Sequence, residues 1–210
     1  MKVRIPWHFV RLMEFSGEPT DWKRGPQPPE ARPLGATRDI ASFGFDVRYP
    51  DMSGLSTPAL QRDYDGRPFK VNPWMGVSIT SGDLYRPGAL AARAIVVRKQ
   101  KSYPTYFQVA SDIDAMEKYV VQSTNPRTGK PARLDFGNSD VYLAFDRSGQ
   151  VSAIIECSNT EIGRQLCSQA FVLEPHASVF VEVRYGRDML PKWQDIQRRT
   201  GALLLGFRID

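Results

Sequence analysis

The chain has 210 residues and a net charge of +5, from 28 lysines and arginines against 23 aspartates and glutamates. Hydrophobic residues make up 41% and charged residues 24%, which is typical of a folded globular protein with one large domain or two small ones. The charge is dispersed, whereas a protein that coats nucleic acid concentrates it on one surface. No run of about twenty apolar residues is present, so no segment is predicted to cross a membrane.

Residues 1–35 are predicted to be an N-terminal arm followed by a proline-rich linker. Val3 to Phe15 is apolar enough for a first strand, but charged residues and proline interrupt it too often for a signal-peptide core. Gly17 to Gly35 is rich in proline, which favours extended or polyproline backbone. We therefore predict a boundary here and a single α+β domain over residues 36–210.

Two strands and two helices are predicted in the middle of the chain. Ile40 to Tyr49 alternates with period two, as a half-buried strand does, and Trp74 to Thr80 predicts another strand. The stretch from Pro50 to Pro73 is irregular, with a short helix expected from Pro58 to Tyr64. Long loops of this kind are often functional. A second helix is expected to begin at Pro87 and to end near residue 101.

The second helix combines an apolar face with a basic face. The basic residues are Arg93, Arg98, Lys99 and Lys101. A face of this kind is usually solvated, but it is also the feature that would bind anionic lipid or nucleic acid. Steep salt dependence of binding would identify that alternative.

Short aromatic and turn-forming segments follow this helix. Tyr103 to Val109 is predicted to be a strand or a loop, and Tyr119 to Ser123 a strand. Asn125 to Gly129 has proline and glycine at positions that suit a tight turn.

The most regular part of the chain runs from Val141 to Phe207. Four alternating runs separated by turn signals predict three consecutive hairpins, which form an antiparallel meander. Gln169 is the exception in the apolar face of the third run. An amphipathic helix follows, with Asp188 as its expected cap and Gly201 as a point of close approach to the sheet.

The predicted fold class is therefore α+β, with an antiparallel sheet packed against a C-terminal helix. A variant of this layout has two similar sheet-plus-helix halves, residues 36–123 and 124–210.

The two cysteines, Cys157 and Cys167, flank one predicted hairpin loop. Paired strands would bring their Cα atoms within bridging distance, and closing this loop stabilises a protein by about 3 kcal/mol on the chain-entropy model. The alternative is a pair of reduced, buried thiols in a cytosolic protein. Two cysteines and two distant histidines are too few for a zinc site.

No catalytic motif is found. The chain lacks a glycine-rich phosphate loop, a nucleophile elbow and paired histidines on a helix. His176 follows a proline in a predicted turn, where a catalytic triad would need partners from distant segments. Asp112 and Asp114 lack the glycine and terminal glutamate of a calcium loop, and helix capping near Met116 is their expected role. We predict no catalytic residue, no cofactor and no metal.

Five segments point to one group of proteins. They are the hairpin ECSNTEIGRQLCSQAF, the helix start RDMLPKWQDIQ, the C-terminal LLLGF, and the segments FGFDVRYPDMSGLS and NPWMGVSI. These segments resemble small proteobacterial proteins encoded beside type VI secretion effectors. The matched parts cover about half of the chain. The resemblance implies a non-enzymatic immunity protein that binds a toxic protein effector, often a phospholipase. It also implies a periplasmic location, with any membrane anchor outside the region shown.

Two exposed segments are expected to contact the effector and to occlude its active site or membrane-binding surface. They are the loop from Asp51 to Pro68, with Arg62 and Arg67, and the turn from Asn125 to Lys130, with Arg127 and Lys130. Their length, turn signals and polar or aromatic side chains are the reasons. The alternatives are a module that binds anionic lipid or nucleic acid, and an enzyme of unrecognised class.

Overall fold

A computed structural model describes residues 2–17, 37–68, 72–99, 105–135, 138–160 and 163–209. Residues 18–35 of the predicted linker, and Lys101 of the predicted basic face, lie outside these ranges. The strands are β1 Leu12–Phe15, β2 Ile40–Arg48, β3 Trp74–Thr80, β4 Tyr106–Val109, β5 Met116–Val121, β6 Ser139–Phe145, β7 Val151–Ser158, β8 Leu166–Val172 and β9 Phe180–Gly186. The α-helices are α1 Pro58–Asp65, α2 Ala89–Lys99 and α3 Trp193–Leu205.

These strands form one nine-stranded sheet in the order β1-β2-β3-β9-β8-β7-β6-β5-β4. Every neighbouring pair is antiparallel. The meander predicted for the C-terminal half is confirmed as β6 to β9 at the centre of the sheet, and the α+β fold class is confirmed with it. The candidate halves 36–123 and 124–210 share this sheet, since β2 and β3 lie on one side of the meander and β4 and β5 on the other.

The central strands are buried on both faces. On one face α3 packs over a cluster that includes Phe45, Val77, Tyr142, Phe171 and Val181. On the other face α2 packs over a cluster that includes Tyr119, Val141, Leu143, Ile154 and Ala170. The alternation predicted only one buried face for each strand, but a helix covers each face here, so adjacent residues of β6 are buried on opposite sides.

Gln169 joins the sheet to α3 rather than interrupting the core. Its side chain is completely buried, and its amide nitrogen donates to the Trp193 carbonyl at 3.2 Å and to Gln197 at 3.1 Å. The Tyr185 hydroxyl donates to its amide oxygen at 2.8 Å. A buried amide with its hydrogen bonds made costs little, so the break in the apolar pattern has a structural reason.

The C-terminal helix begins later than predicted. A 3-10 turn at Arg187–Lys192 contains Pro191, and α3 begins at Trp193 without a side-chain cap. Asp188 therefore lies in the 3-10 turn, and the prediction that it caps the helix is wrong. Close approach at Gly201 is confirmed, because a β-carbon there would lie 3.2 Å from the Leu173 side chain.

Cys157 and Cys167 form a disulfide, as predicted. They are directly paired residues of β7 and β8, with their Cα atoms 4.1 Å apart, and both side chains are buried. The bond therefore holds together the two strands from which the loop at 159–165 extends.

Candidate interaction surface at one end of the sheet

One end of the sheet carries the loops that follow β2, β5 and β7. We call this region the loop end and define it as the described parts of 49–68, 122–135 and 159–165, together with Gly186–Asp188. The strand register brings these segments to the same end through the pairs Arg48 with Trp74, Gly76 with Arg184, Leu166 with Gly186, Ser139 with Ser158, and Tyr119 with Val141. Both segments predicted to contact a partner therefore lie at one end of the molecule.

The first of them, Asp51 to Pro68, is anchored to α3 at its start. At its start, the Tyr49 hydroxyl donates to Asp195 of α3 at 2.8 Å, and Arg199 donates to the Pro50 carbonyl at 3.1 Å. The Arg48 guanidinium, which donates to Asp51, lowers the pKa of that carboxyl to about 2. The loop is therefore anchored and anionic at this point at neutral pH.

Helix α1 follows in this loop and contains no buried residue. Thr57 caps it by accepting the Leu60 amide. Two aromatic rings attach the helix to the sheet, since Tyr64 packs edge-on against Trp74 with centroids 5.2 Å apart. The Trp74 indole nitrogen also donates to Asp63 at 2.9 Å. Helix α1 is therefore held by the packing of Tyr64 on Trp74 and by the Asp63 hydrogen bond, and the Tyr64 hydroxyl adds a contact by accepting from Arg11 at 2.7 Å.

Arg62 and Arg67 are exposed on and just after α1. The Arg62 Nε donates to the Pro58 carbonyl at 3.3 Å. The Arg67 guanidinium lies over the Tyr64 ring, 3.7 Å from its centroid, and donates to the Tyr64 carbonyl. Neither forms an ion pair with a carboxylate among the described residues.

The second segment, Asn125 to Lys130, is a tight turn, as predicted. The Asn125 side chain accepts the Arg127 amide at 2.8 Å and donates to Asp135 at 2.7 Å. The Gly129 amide donates to the Asn125 carbonyl at 2.9 Å, and its φ of +67° favours glycine. The turn presents Arg127 and Lys130, which are exposed and lack ion pairs within the described part of the chain.

A buried carboxylate connects three segments of the loop end. Asp140 is completely buried and accepts two hydrogen bonds from Arg133, from Nε at 2.7 Å and Nη2 at 2.5 Å. Arg187 donates to it at 2.6 Å and Asn159 at 2.9 Å. Burial by itself would raise the pKa of Asp140, but these donors outweigh it and lower the pKa. The cluster holds the segments that follow β5, β7 and β9 against the first residues of β6.

Sequence reasoning missed this cluster. Its members lie far apart in the chain and share no spacing, and Asp140 immediately precedes a predicted strand. It missed Arg164 for the same reason, since that side chain lies beside Gly186 and donates to the Asn72 carbonyl at 3.2 Å.

The basic face of α2 is partly neutralised by the sheet beneath it. Arg93 pairs with Glu156 at 2.6 Å, and Arg98 pairs with Glu117 at 2.8 Å. Two of the cations that would bind an anionic ligand are therefore held by carboxylates. This observation favours a basic face that is exposed to solvent over one that binds anionic lipid or nucleic acid.

The other chemical candidates do not assemble into a site. Within the described ranges, no group of three or more histidine, cysteine, aspartate or glutamate side chains is placed to hold a metal ion. His176 is exposed at a turn. Asp112 accepts the Lys118 ammonium at 2.9 Å and the Tyr142 hydroxyl at 3.3 Å, and Met116 begins β5. The expectation that Asp112 and Asp114 cap a helix near Met116 is wrong.

None of the described helices is long and apolar enough to span a membrane.

Comparison with known proteins gives one informative match. No family model matches the chain, and no curated protein matches it in sequence. Among solved structures, the chain is similar to an immunity protein of the type IV secretion system of Stenotrophomonas maltophilia, with a TM-score of 0.57 and 15% sequence identity. The similarity covers 81% of this chain and 83% of that chain. At this identity it demonstrates a shared fold.

Proposed function

We propose that the protein is a non-enzymatic immunity protein that binds a toxic secreted effector and neutralises it. The observation that carries the proposal is the shared fold with an immunity protein over most of both chains. The resemblance of the hairpin and helix segments to immunity-type sequences supports the same function. These two arguments are independent, because one rests on backbone geometry and the other on residue identity.

In this proposal the loop end occludes the active site or membrane-binding surface of the effector. The loop from Asp51 to Pro68 and the turn from Asn125 to Lys130 are separated by six strand-to-strand steps of about 4.8 Å, or about 29 Å. A standard interface buries about 800 Å² on each partner, which corresponds to a patch about 32 Å across. One partner of ordinary size therefore reaches both segments.

The contact residues in this proposal include four exposed basic side chains. They are Arg62, Arg67, Arg127 and Lys130. Because they lack ion pairs within the described part of the chain, their charge is available to an acidic partner surface. Such charges mainly accelerate association and select the partner.

We propose the periplasm as the compartment. The Cys157–Cys167 disulfide supports it, because disulfides persist in oxidising compartments. The structural neighbour belongs to a type IV system, whereas the sequence resemblance is to proteins beside type VI effectors. We propose a phospholipase as the effector on that resemblance. Sequencing the genes beside the one that encodes this chain would show which of the two secretion systems delivers the effector.

Protection of cells tests the function directly. Each gene flanking the one for this protein is expressed in the periplasm of a sensitive bacterium, with and without this protein in the same compartment. One flanking product should be toxic alone and harmless in the presence of this protein, and the two purified proteins should form a stable complex at moderate and high salt. If a flanking product is toxic whether or not the protein is present, or if no flanking product is toxic, the proposal is wrong. Loss of all binding at high salt would favour the anionic-ligand alternative.

A further inference from the structure

Trp7 exposes its indole ring to solvent near the start of the chain. The side chain is 76% exposed, whereas Trp74 and Trp193 are buried. It belongs to a short 3-10 turn, Trp7–Phe9, which we call the Trp7 turn. An indole ring has a large apolar area that folding normally removes from water, and tryptophan is enriched at protein interfaces. The ring is therefore a candidate contact for a partner.

Phe9 fixes the Trp7 turn to the core. Its ring is buried and packs against Phe45 and Phe207, with the ring centroids 5.3 Å apart in both pairs. Its amide donates to the Pro6 carbonyl at 2.9 Å. The backbone that carries Trp7 is thus held in place before a partner arrives, which reduces the entropy lost on binding.

The Trp7 turn lies against the loop from Asp51 to Pro68. Strand β1 runs away from the loop end, so the residues that precede it lie on the side of that end. A β-carbon at Gly54 would lie 2.7 Å from the Phe9 ring and 3.1 Å from the His8 ring, so glycine is what permits this contact. The Trp7 ring packs edge-on against His8, with centroids 5.7 Å apart. The exposed indole therefore borders one of the two segments proposed to contact the effector.

Arg11 connects the same border to α1. Its guanidinium donates to the Tyr64 hydroxyl at 2.7 Å and forms an ion pair with Asp46. The Arg67 guanidinium lies over the Tyr64 ring, 3.7 Å from its centroid. Tryptophan, tyrosine and arginine are the residues that most often dominate interface energies. The short chain from Trp7 to Arg11 places all three types at one corner of the loop end.

The charges near the Trp7 turn favour an acidic protein partner. Lys2 and Arg4 are exposed, and neither forms an ion pair within the described ranges. A second copy of the chain, related by two-fold symmetry at Trp7, would bring these cations close to each other, and like charges across an interface are costly. A membrane surface is disfavoured because stable binding scales with the apolar area buried, and one ring supplies little.

We infer that Trp7 is an anchor that fills an apolar pocket on the effector, and that carboxylates border this pocket. The inference rests on the proposed function for the identity of the partner. The chemistry of the pocket follows from the exposed indole and the neighbouring cations. A buried anchor mainly slows dissociation, whereas charges at the rim mainly accelerate association. The two parts of the contact therefore have different kinetic effects.

The anchor is tested by binding kinetics with the toxic flanking product found in the protection assay. Trp7→Ala should weaken binding by about thirtyfold or more, the loss that defines a dominant interface residue, and most of it should be in the dissociation rate. Trp7→Phe retains a smaller ring and should recover part of the loss. Because the side chain is exposed, both variants should keep Tm within about 2 °C of the native protein.

Matched variants separate an anchor from general stickiness and from charge. Leu84 is another apolar side chain, 51% exposed, and it follows β3 at the opposite end of the sheet. Leu84→Ala should change the affinity less than twofold. Reversing Lys2 and Arg4 to glutamate should slow association at low salt and leave the dissociation rate nearly unchanged. Native affinity in Trp7→Ala, or equal losses in the Trp7 and Leu84 variants, would overturn the inference while the proposed function stands.

Burial of the ring is measured with protein that carries 5-fluorotryptophan. The fluorine resonance of Trp7, assigned from Trp7→Phe, should be broadened by a soluble gadolinium chelate in the free protein and protected from it in the complex. A ring that stays accessible in the complex would refute the anchor. So would Trp7-dependent sedimentation of the protein with phosphatidylglycerol and phosphatidylethanolamine vesicles, which would identify a membrane as the partner. If the native protein binds no flanking product, the proposed function itself is wrong and the inference falls with it.

Discussion

Replacement of Asp140 by asparagine should destabilise the protein substantially. The side chain is completely buried and accepts four hydrogen bonds from Arg133, Arg187 and Asn159. Removing one partner of a buried ion pair costs roughly 3 to 5 kcal/mol, because the opposite charge is left uncompensated. The two arginine side chains are 40% and 20% exposed, so water can partly resolvate them. We therefore expect the low end, about 3 kcal/mol.

The loss of stability in Asp140→Asn is measured by urea and thermal unfolding at pH 7 with the disulfide intact. For a protein of this size, 1 kcal/mol corresponds to about 2–4 °C in Tm, so Asp140→Asn should lower Tm by about 6–12 °C. Asp114→Asn removes an exposed carboxylate, makes the same chemical change, and should shift Tm by less than about 2 °C.

The stability difference between the native protein and Asp140→Asn should depend on pH, which gives a second check. The pKa of Asp140 is lower in the folded protein than the ordinary value of 3.8, so its contribution is fully present above pH 3.8. It is lost as the pH falls through the folded pKa, since protonation then removes the charge in the native protein as well. The difference in the free energy of unfolding between the native protein and Asp140→Asn should decrease below pH 3.8. A loss under about 1 kcal/mol at neutral pH, or a gap that stays constant in acid, would refute the account of this cluster.

Three further outcomes are expected. Reducing the disulfide, or changing Cys157 to serine, should lower the free energy of unfolding by about 3 kcal/mol, and equal Tm values for oxidised and reduced protein would contradict this. Tyr64→Ala should release α1 and accelerate hydrogen exchange in it while leaving exchange in α3 unchanged, whereas Tyr64→Phe, which retains the ring, should preserve most of the protection. Reversing the charges of Arg127 and Lys130 together should slow association with the effector at low salt, with a smaller effect at high salt. Unchanged association would remove the turn from the interface.

The local parts of this fold could be predicted from sequence because their determinants are local. Period-two alternation and turn residues indicated the meander of β6 to β9, and Pro126 and Gly129 indicated the tight turn. The pairing of β3 with β9 could not be predicted, because it joins segments about a hundred residues apart and carries no sequence signal of its own. The burial of β6 on both faces was also missed, since it depends on where α2 and α3 pack.

The candidate interaction surface was predictable only in part. The exposed loops were identified by length and turn composition, and the structure places both at one end of the sheet. The Asp140 cluster could not be predicted, since it assembles residues from separate loops through the strand register. Isolated arginines in a sequence with 28 basic residues give no indication of which ones converge.

The strand order also has a consequence for the time course of folding. The four strands at the centre of the sheet, β6 to β9, are the last to be synthesised, and the strands made earlier occupy its two flanks. Strand β3 has no β9 to pair with until Phe180–Gly186 has been synthesised, and β5 has no β6 until Ser139–Phe145 has been synthesised. Folding from the N-terminus during translation therefore yields two separate fragments, β1–β3 and a second one that begins as the β4–β5 hairpin and grows as β6 to β8 are added. The nine strands become one sheet only when β9 joins the two fragments, so completion of the fold waits for synthesis of the C-terminal third of the chain.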